Sequence, residues 1–141
     1  ALAAEDKPDL LIDFATLTGA ARVALGPDLP PFYTGDEALA AEIAAVGMEE
    51  HDPVWRLPLW EAYESLLDSK LADLNNVSSG PFAGSVTAAL FLRRFVEGAA
   101  AWVHFDIYGW NPSTKPGRPE GGETQAARLL YMLLEKRYGM K

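Results

Sequence analysis

Apolar positions along the chain switch between two spacings, and the switches outline its elements. Leu10 to Ala15 form a short apolar run broken by Asp13 after the turn pair Pro8-Asp9, which predicts a buried strand. Thr34-Gly35-Asp36-Glu37 has the spacing of a capping box, and Leu39, Ile43 and Val46 then recur at i, i+4 and i+7. That pattern predicts a helix over about 36–47, stopped near Gly47. Trp55, Leu57 and Leu59 alternate, and Pro58 confines their stretch to an edge strand or an extended lead-in. Tyr63, Leu66 and Leu67 mark the apolar stripe of a second helix between Trp60 and Leu67.

The segment LADLNNVSSGPFAGS is turn chemistry. Ser85 is expected to cap the next helix, whose apolar face is Ala89, Leu92, Phe95 and Val96 and which Gly98 ends. AAWVHFDIYG is the best strand in the chain, with Trp102, His104 and Asp106 on one face and Val103, Phe105 and Ile107 on the other. The stretch Gly109 to Gly122 holds three prolines and four glycines and predicts a long loop. A last helix is expected over about Thr124 to Tyr138, carrying Leu129, Leu130, Met132 and Leu133. Strands that alternate with helices indicate an α/β layered domain.

Composition narrows the classes of function. At 141 residues and 49% hydrophobic content the chain suits one folded domain with a single core. Its longest apolar stretch is broken by Arg93, Arg94 and Glu97, short of the roughly 20 apolar residues of a membrane span. The net charge of -8 is concentrated early, with 15 acids and 4 bases in residues 1–80, so nucleic acid is an unsuitable partner. There is no cysteine, which removes disulfides and thiolate metal sites and suits a cytoplasmic protein. The first residues lack the basic-then-apolar order of a secretory signal. The opening ALAAED reads like the last turns of a helix begun upstream, so a piece of a longer chain is expected.

Candidate chemistry is sparse. His104 and Asp106, two apart on a strand, could reach one metal or act as a base and its orienting partner; the plainer reading is a buried polar pair. His51, in EEHDP, reads as a solvated turn. Ser78-Ser79-Gly80 and Gly84-Ser85 lack the spacing of a nucleophile elbow or a phosphate loop. PGRPEGGE carries one arginine among two acids and makes a poor anion site. The exit of the first strand, Thr16-Leu17-Thr18-Gly19, is different. Ligands collect at strand ends in α/β sheets, and Gly19 permits close approach to the backbone, though an ordinary strand exit explains the same residues.

Five blocks taken in order, IDFATLTGAARVALG, VWRLPLWEAY, SKLADLNNVSSG, GSVTAALFLRRFV and WVHFDIYG, resemble the C-terminal part of the leucyl aminopeptidase family. These are cytosolic dinuclear-metal peptidases, and the resemblance spans about Asp9 to Tyr138. It implies a three-layer α/β sandwich with helices on both faces of a mixed sheet, residues 1–141 being the C-terminal portion of a larger catalytic domain. It also implies a hydrolase that releases N-terminal amino acids from peptides, uses two divalent metal ions (zinc or manganese) and assembles as a hexamer. The metal ligands and the catalytic lysine and arginine would precede this chain, near an Asn-Thr-Asp-Ala-Glu-Gly-Arg motif. No catalytic residue, metal ligand or bound metal is then expected within it.

What the resemblance implies for this chain is a set of pocket walls: Thr16, Leu17 and Gly19, with Leu17 and Gly19 offering main-chain contacts, and Val77 as an apolar wall beyond the scissile bond. Tyr108 and Asn111 stand where many members carry a small and an apolar residue, at the border of the pocket for the N-terminal side chain. A preference shifted from leucine toward small or polar residues is expected. The alternative to an enzyme part is a non-catalytic oligomerising module with the same fold; an unrelated hydrolase built on His104 and Asp106 lacks a nucleophile.

Overall fold

The computed structural model describes residues 1–77 and 80–139. In chain order it carries α1 (Leu2–Glu5), β1 (Leu11–Ala15), α2 (Arg22–Leu25), β2 (Pro31–Tyr33), α3 (Glu37–Glu49) and β3 (Trp55–Arg56). A 3₁₀ helix (Glu61–Leu67), α4 (Gly84–Arg93), β4 (Trp102–Asp106), β5 (Trp110–Asn111), β6 (Gly121–Gly122) and α5 (Ala127–Tyr138) follow. β1 to β4 form one mixed sheet in the order β1-β4-β2-β3. β1 runs parallel to β4 with Asp13 opposite His104 and Ala15 opposite Asp106, while β2 is antiparallel to β4 and parallel to β3.

All five residues of β4 are buried, as a strand covered on both faces requires. Its odd and even positions serve two different layers. Val103 and Phe105 join Phe32, Leu39, Ile43, Leu129 and Leu133 in the main core, where α3 and α5 pack together. Phe105 stacks on Phe14 at 5.0 Å and meets Phe32 at 5.9 Å, so aromatic contacts run across three strands. Trp102, His104 and Asp106 point to the other face, where α4 lies and the 3₁₀ helix packs on α4. The α/β sandwich with helices on both faces is therefore present.

Several element ends differ from the local pattern, for physical reasons. Asp36, rather than Thr34, caps α3: its carboxylate accepts from Leu39 N at 3.0 Å, and Thr34 Oγ1 accepts from Asp36 N. Gly47 does not stop α3 but lies inside it. A Cβ there would lie 3.1 Å from the Asp52 carbonyl oxygen, so the bare backbone lets the chain fold back against the helix. Trp60 to Leu67 forms a 3₁₀ helix rather than an α-helix, and only Leu67 of its predicted stripe is fully buried. Ser85 lies in the first turn of α4 with its hydroxyl turned into the protein, and Ala83, with φ 57°, precedes that helix without a side-chain cap. α4 ends at Arg93, leaving Phe95 exposed. Gly98 instead meets α1, where a Cβ would collide with the Ala4 carbonyl oxygen. The loop after β4 closes on itself through the β5–β6 pair.

The start of α5 is capped from a distance. Buried Asp52, just past the left-handed turn at His51, accepts from Ala126 N and Arg128 N at 3.0 Å and from Leu129 N at 3.3 Å. One carboxylate thus satisfies three amide groups that a helix start leaves open, and ties the end of α3 to the start of α5. Replacing Asp52 by Ala strands those donors in a buried setting and is expected to cost about 2–3 kcal/mol, against about 1 kcal/mol for Asp36→Ala, which frees one donor. Urea denaturation of the two variants measures the difference; equal losses would contradict the account.

Candidate functional site

β1 and β4 end side by side, and the chain beyond β1 turns across the end of β4. Asp106, the last residue of β4, holds that turn. Its Oδ1 accepts from Leu17 N at 3.0 Å and Thr18 N at 3.1 Å, and its Oδ2 accepts from Thr18 Oγ1 at 2.7 Å and Ser85 Oγ at 2.8 Å. Four donors on one buried carboxylate satisfy it fully, which is what permits a charge to be buried here. Ser85 in turn accepts from the Tyr33 hydroxyl at 2.6 Å. The strand exit, β2, α4 and β4 therefore converge on one acid.

The turn it holds is a partition between two clefts. One, of about 460 Å³, is walled by Leu17, Val77, Leu67, Ala88 and Phe91 and is largely apolar. The other, of about 290 Å³, is walled by Thr16, Leu17, Gly19, Arg22, Ile107 and Tyr108. Leu17 and Thr18 border both. The Leu17 N–H is committed to Asp106, but among the described residues neither the Leu17 carbonyl nor the Gly19 N–H has a hydrogen-bond partner. They are among several open main-chain groups at the partition, since none of the described residues bonds the Thr16 N–H or the carbonyls of Thr16 and Thr18 either.

Thr16, Leu17, Gly19 and Tyr108 are brought together at the smaller cleft, and Val77 shares the larger one with Leu17. Asn111 goes elsewhere. It is buried in β5, its Nδ2 donates to the carbonyls of Arg118 and Pro119 at 3.0 and 2.8 Å, and it borders a separate cavity of about 20 Å³ under the loop. Gln125 was silent in the sequence pattern yet fixes the second cleft. Its Oε1 accepts from Tyr108 N and Gly109 N, both at 3.0 Å, and its Nε2 donates to the Pro27 carbonyl at 2.8 Å. Arg22, on the wall of the same cleft, is equally unmarked by the sequence pattern. No local spacing marks either residue, since their partners lie on other elements.

His104 and Asp106 share a face of β4 without acting on each other. His104 Nδ1 meets Asp13 Oδ1 at 2.6 Å, and Trp102 Nε1 donates to Asp13 Oδ2 at 2.6 Å. Asp13 is thus a structural acceptor for two neighbours on β4. His104 is fully buried and its Nε2 has no partner among the described residues; in the tautomer whose Nδ1–H donates to the Asp13 carboxylate, Nε2 carries a lone pair rather than an N–H. His51 lies exposed in a turn, and its carbonyl accepts from Arg128. Ser78 and Ser79 lie outside the described residues.

A divalent metal does not fit these side chains. Among the described residues no three His, Asp or Glu gather at one point. The buried acids near the clefts have spent their oxygens on N–H and O–H donors.

Burial pushes the Tyr33 hydroxyl up to about 12; the Ser85 hydrogen bond opposes the shift and the Asp106 carboxylate adds to it. The raised value keeps the proton on folded Tyr33 above pH 10, where an unfolded tyrosine loses it. Its contribution to stability, about 2–3 kcal/mol, is fully present below about pH 10 and lost as pH rises through about 12. Spectrophotometric titration is expected to show a component at about pH 12 that is lost in Tyr33→Phe, while Tyr138, also raised through its hydrogen bond with Asp9, still ionises late in the variant. A wild-type titration complete near pH 10 would contradict the buried network.

A model of the cytosol aminopeptidase family, catalytic domain, matches residues 1–131. A probable cytosol aminopeptidase of Chlorobium phaeobacteroides is 46% identical over 133 residues, covering 94% of this chain and 26% of the relative. One from Caulobacter vibrioides is 42% identical, covering 94% and 27%. The crystal structure of the cytosol aminopeptidase from Coxiella burnetii superposes with a TM-score of 0.91 at 48% identity, over 97% of this chain and 30% of that one. The bottromycin maturation enzyme BotP in complex with Mn gives 0.86 at 35% identity, over 92% and 29%. The chain thus spans about a quarter of the length of these curated relatives. The chain belongs to the cytosol aminopeptidase family and corresponds to part of the catalytic domain.

Proposed function

We propose that this chain forms substrate-pocket walls of a metal-dependent aminopeptidase that releases N-terminal residues from peptides in the cytoplasm. The two metal ions, zinc or manganese, are held by residues outside the chain. The observation that carries the reading is the partition: a turn pinned by Asp106, with a cleft on either side and an open carbonyl and N–H between them. A peptide laid across it sets its backbone against Leu17 and Gly19 and its first two side chains in opposite clefts.

In this reading the smaller cleft, with Thr16 and Tyr108 on its walls, takes the N-terminal side chain. The larger one, with Val77, takes the residue after the scissile bond. Asn111 contributes by holding the loop that follows Tyr108. Fixing the peptide in one register is the work these residues do, and orientation of this kind lowers the entropic part of the barrier. The protein is also proposed to act as a hexamer; Trp60, Leu71 and Phe82 leave large apolar surface exposed. Light scattering of the full-length protein reads that assembly, and a clean monomer would oppose it.

Filling the larger cleft tests the register. In the full-length protein, Val77→Trp is expected to lower kcat/KM for dipeptides with a large second residue by about tenfold relative to those with glycine second, the scale set by lost side-chain contacts. An unchanged ratio would mean that this cleft does not receive the second residue.

A further inference from the structure

The smaller cleft contains a cation. Arg22, at the start of α2, lays its guanidinium over the Tyr108 ring, with Cζ 4.2 Å from the ring centroid. Gly19 makes room for it, because a Cβ there would lie 2.7 Å from Arg22 Nη2. The backbone that carries the ring is held by Gln125, whose Oε1 accepts from the amides on either side of the Tyr108 Cα, those of Tyr108 and Gly109. Among the described residues the Arg22 guanidinium has no ion pair and no hydrogen bond, and the Tyr108 ring is its partner; only the main-chain carbonyl is bonded, accepting from Gly26 N.

An arginine stacked face-on keeps its N–H groups at the rim of the plane, free to meet an acceptor sideways. Here that rim borders a cleft to which no carboxylate of the described residues contributes. Asp106 lies behind the turn with all its oxygens occupied by other donors. In a protein of net charge -8, an unpaired cation in an acid-free cleft is a specific feature of that cleft. A planar, forked donor set matches a carboxylate better than any other common side chain.

We propose that Arg22, seated on Tyr108, makes the smaller cleft select peptides whose N-terminal residue carries a carboxylate, glutamate above all. The proposal rests on the reading that this cleft takes the N-terminal side chain. It also narrows the expectation of small or polar residues to acidic ones, since the ring that would crowd the branched side chain of leucine is the platform that orients the cation toward an unbranched acid.

The experiment measures kcat/KM in the full-length protein for glutamyl, glutaminyl, leucyl and alanyl substrates, in wild type, Arg22→Met and Tyr108→Ala. Glutamyl and glutaminyl groups are nearly equal in size, so their ratio reads charge alone. Wild type is expected to favour glutamyl over glutaminyl by about tenfold, the preference to shrink with added salt, and Arg22→Met to bring the ratio to about one. The salt series needs no variant, so a poorly folded Arg22→Met does not remove the test. A wild-type ratio near one at low salt, with Tyr108→Ala still raising leucyl over alanyl turnover, would overturn the charge proposal and leave the cleft reading standing. If neither variant changes any ratio among the four substrates, the cleft reading itself falls, and this inference with it.

Discussion

A buried carboxylate with four donors is the constraint on which the rest of this structure depends. Asp106 gathers two backbone amides of the strand exit, the Thr18 hydroxyl and the Ser85 hydroxyl. Such an acid is tolerated in the interior because its donors compensate it, and each one lost leaves it less well satisfied in a medium that screens charge poorly. The dependence runs both ways. The turn has no regular ladder of its own, so Asp106 gives it its shape. β2 and α4 reach the same point through Tyr33 and Ser85, which sets the helix layer against the sheet and fixes the wall of the larger cleft.

On the opposite face a second acid does comparable work by other means. Asp52 binds the start of α5 to the end of α3, and the apolar core of Phe32, Ile43, Phe105, Leu129 and Leu133 fills in behind. The two faces share β4, whose alternate residues feed one layer each. Gln125, two residues before α5, then clamps the Tyr108–Gly109 backbone, so the helix held by Asp52 also steadies the smaller cleft. Packing on one face thereby reaches the site formed at the strand ends.

Local pattern made much of this fold legible. The alternation from Trp102 to Asp106, the i, i+4, i+7 run of Leu39, Ile43 and Val46 and the final leucine stripe all mark elements that burial fixes, and burial is what hydrophobic spacing reports. Thr16, Leu17, Gly19, Val77 and Tyr108 were picked out through a family resemblance, and the turn itself through its place at a strand end. What stayed hidden depends on partners far apart in the chain. Asp106 meets residues 88 and 89 positions away, and Asp52 caps a helix 74 positions on, so no local window contains either pair. Ser85 looked like a cap because capping is the local use of serine before a helix; its actual partners come from β2 and β4. Gly47 looked like a stop because its reason for being glycine, close approach of the Asp52 carbonyl, is tertiary.

The central claim is that Asp106 holds the partition between the two clefts, and amide hydrogen exchange at Leu17 and Thr18 tests it most directly. Both amides lie outside any strand, so their protection reports the carboxylate rather than the sheet. The account predicts slow exchange at both in the wild-type protein. In Asp106→Ala it predicts exchange faster by about tenfold or more, the loss of a hydrogen bond to a charged acceptor, with the amides of α5 still protected. Leu17 and Thr18 exchanging at the rate of an unstructured chain in the wild type, or unchanged by the substitution, would contradict it.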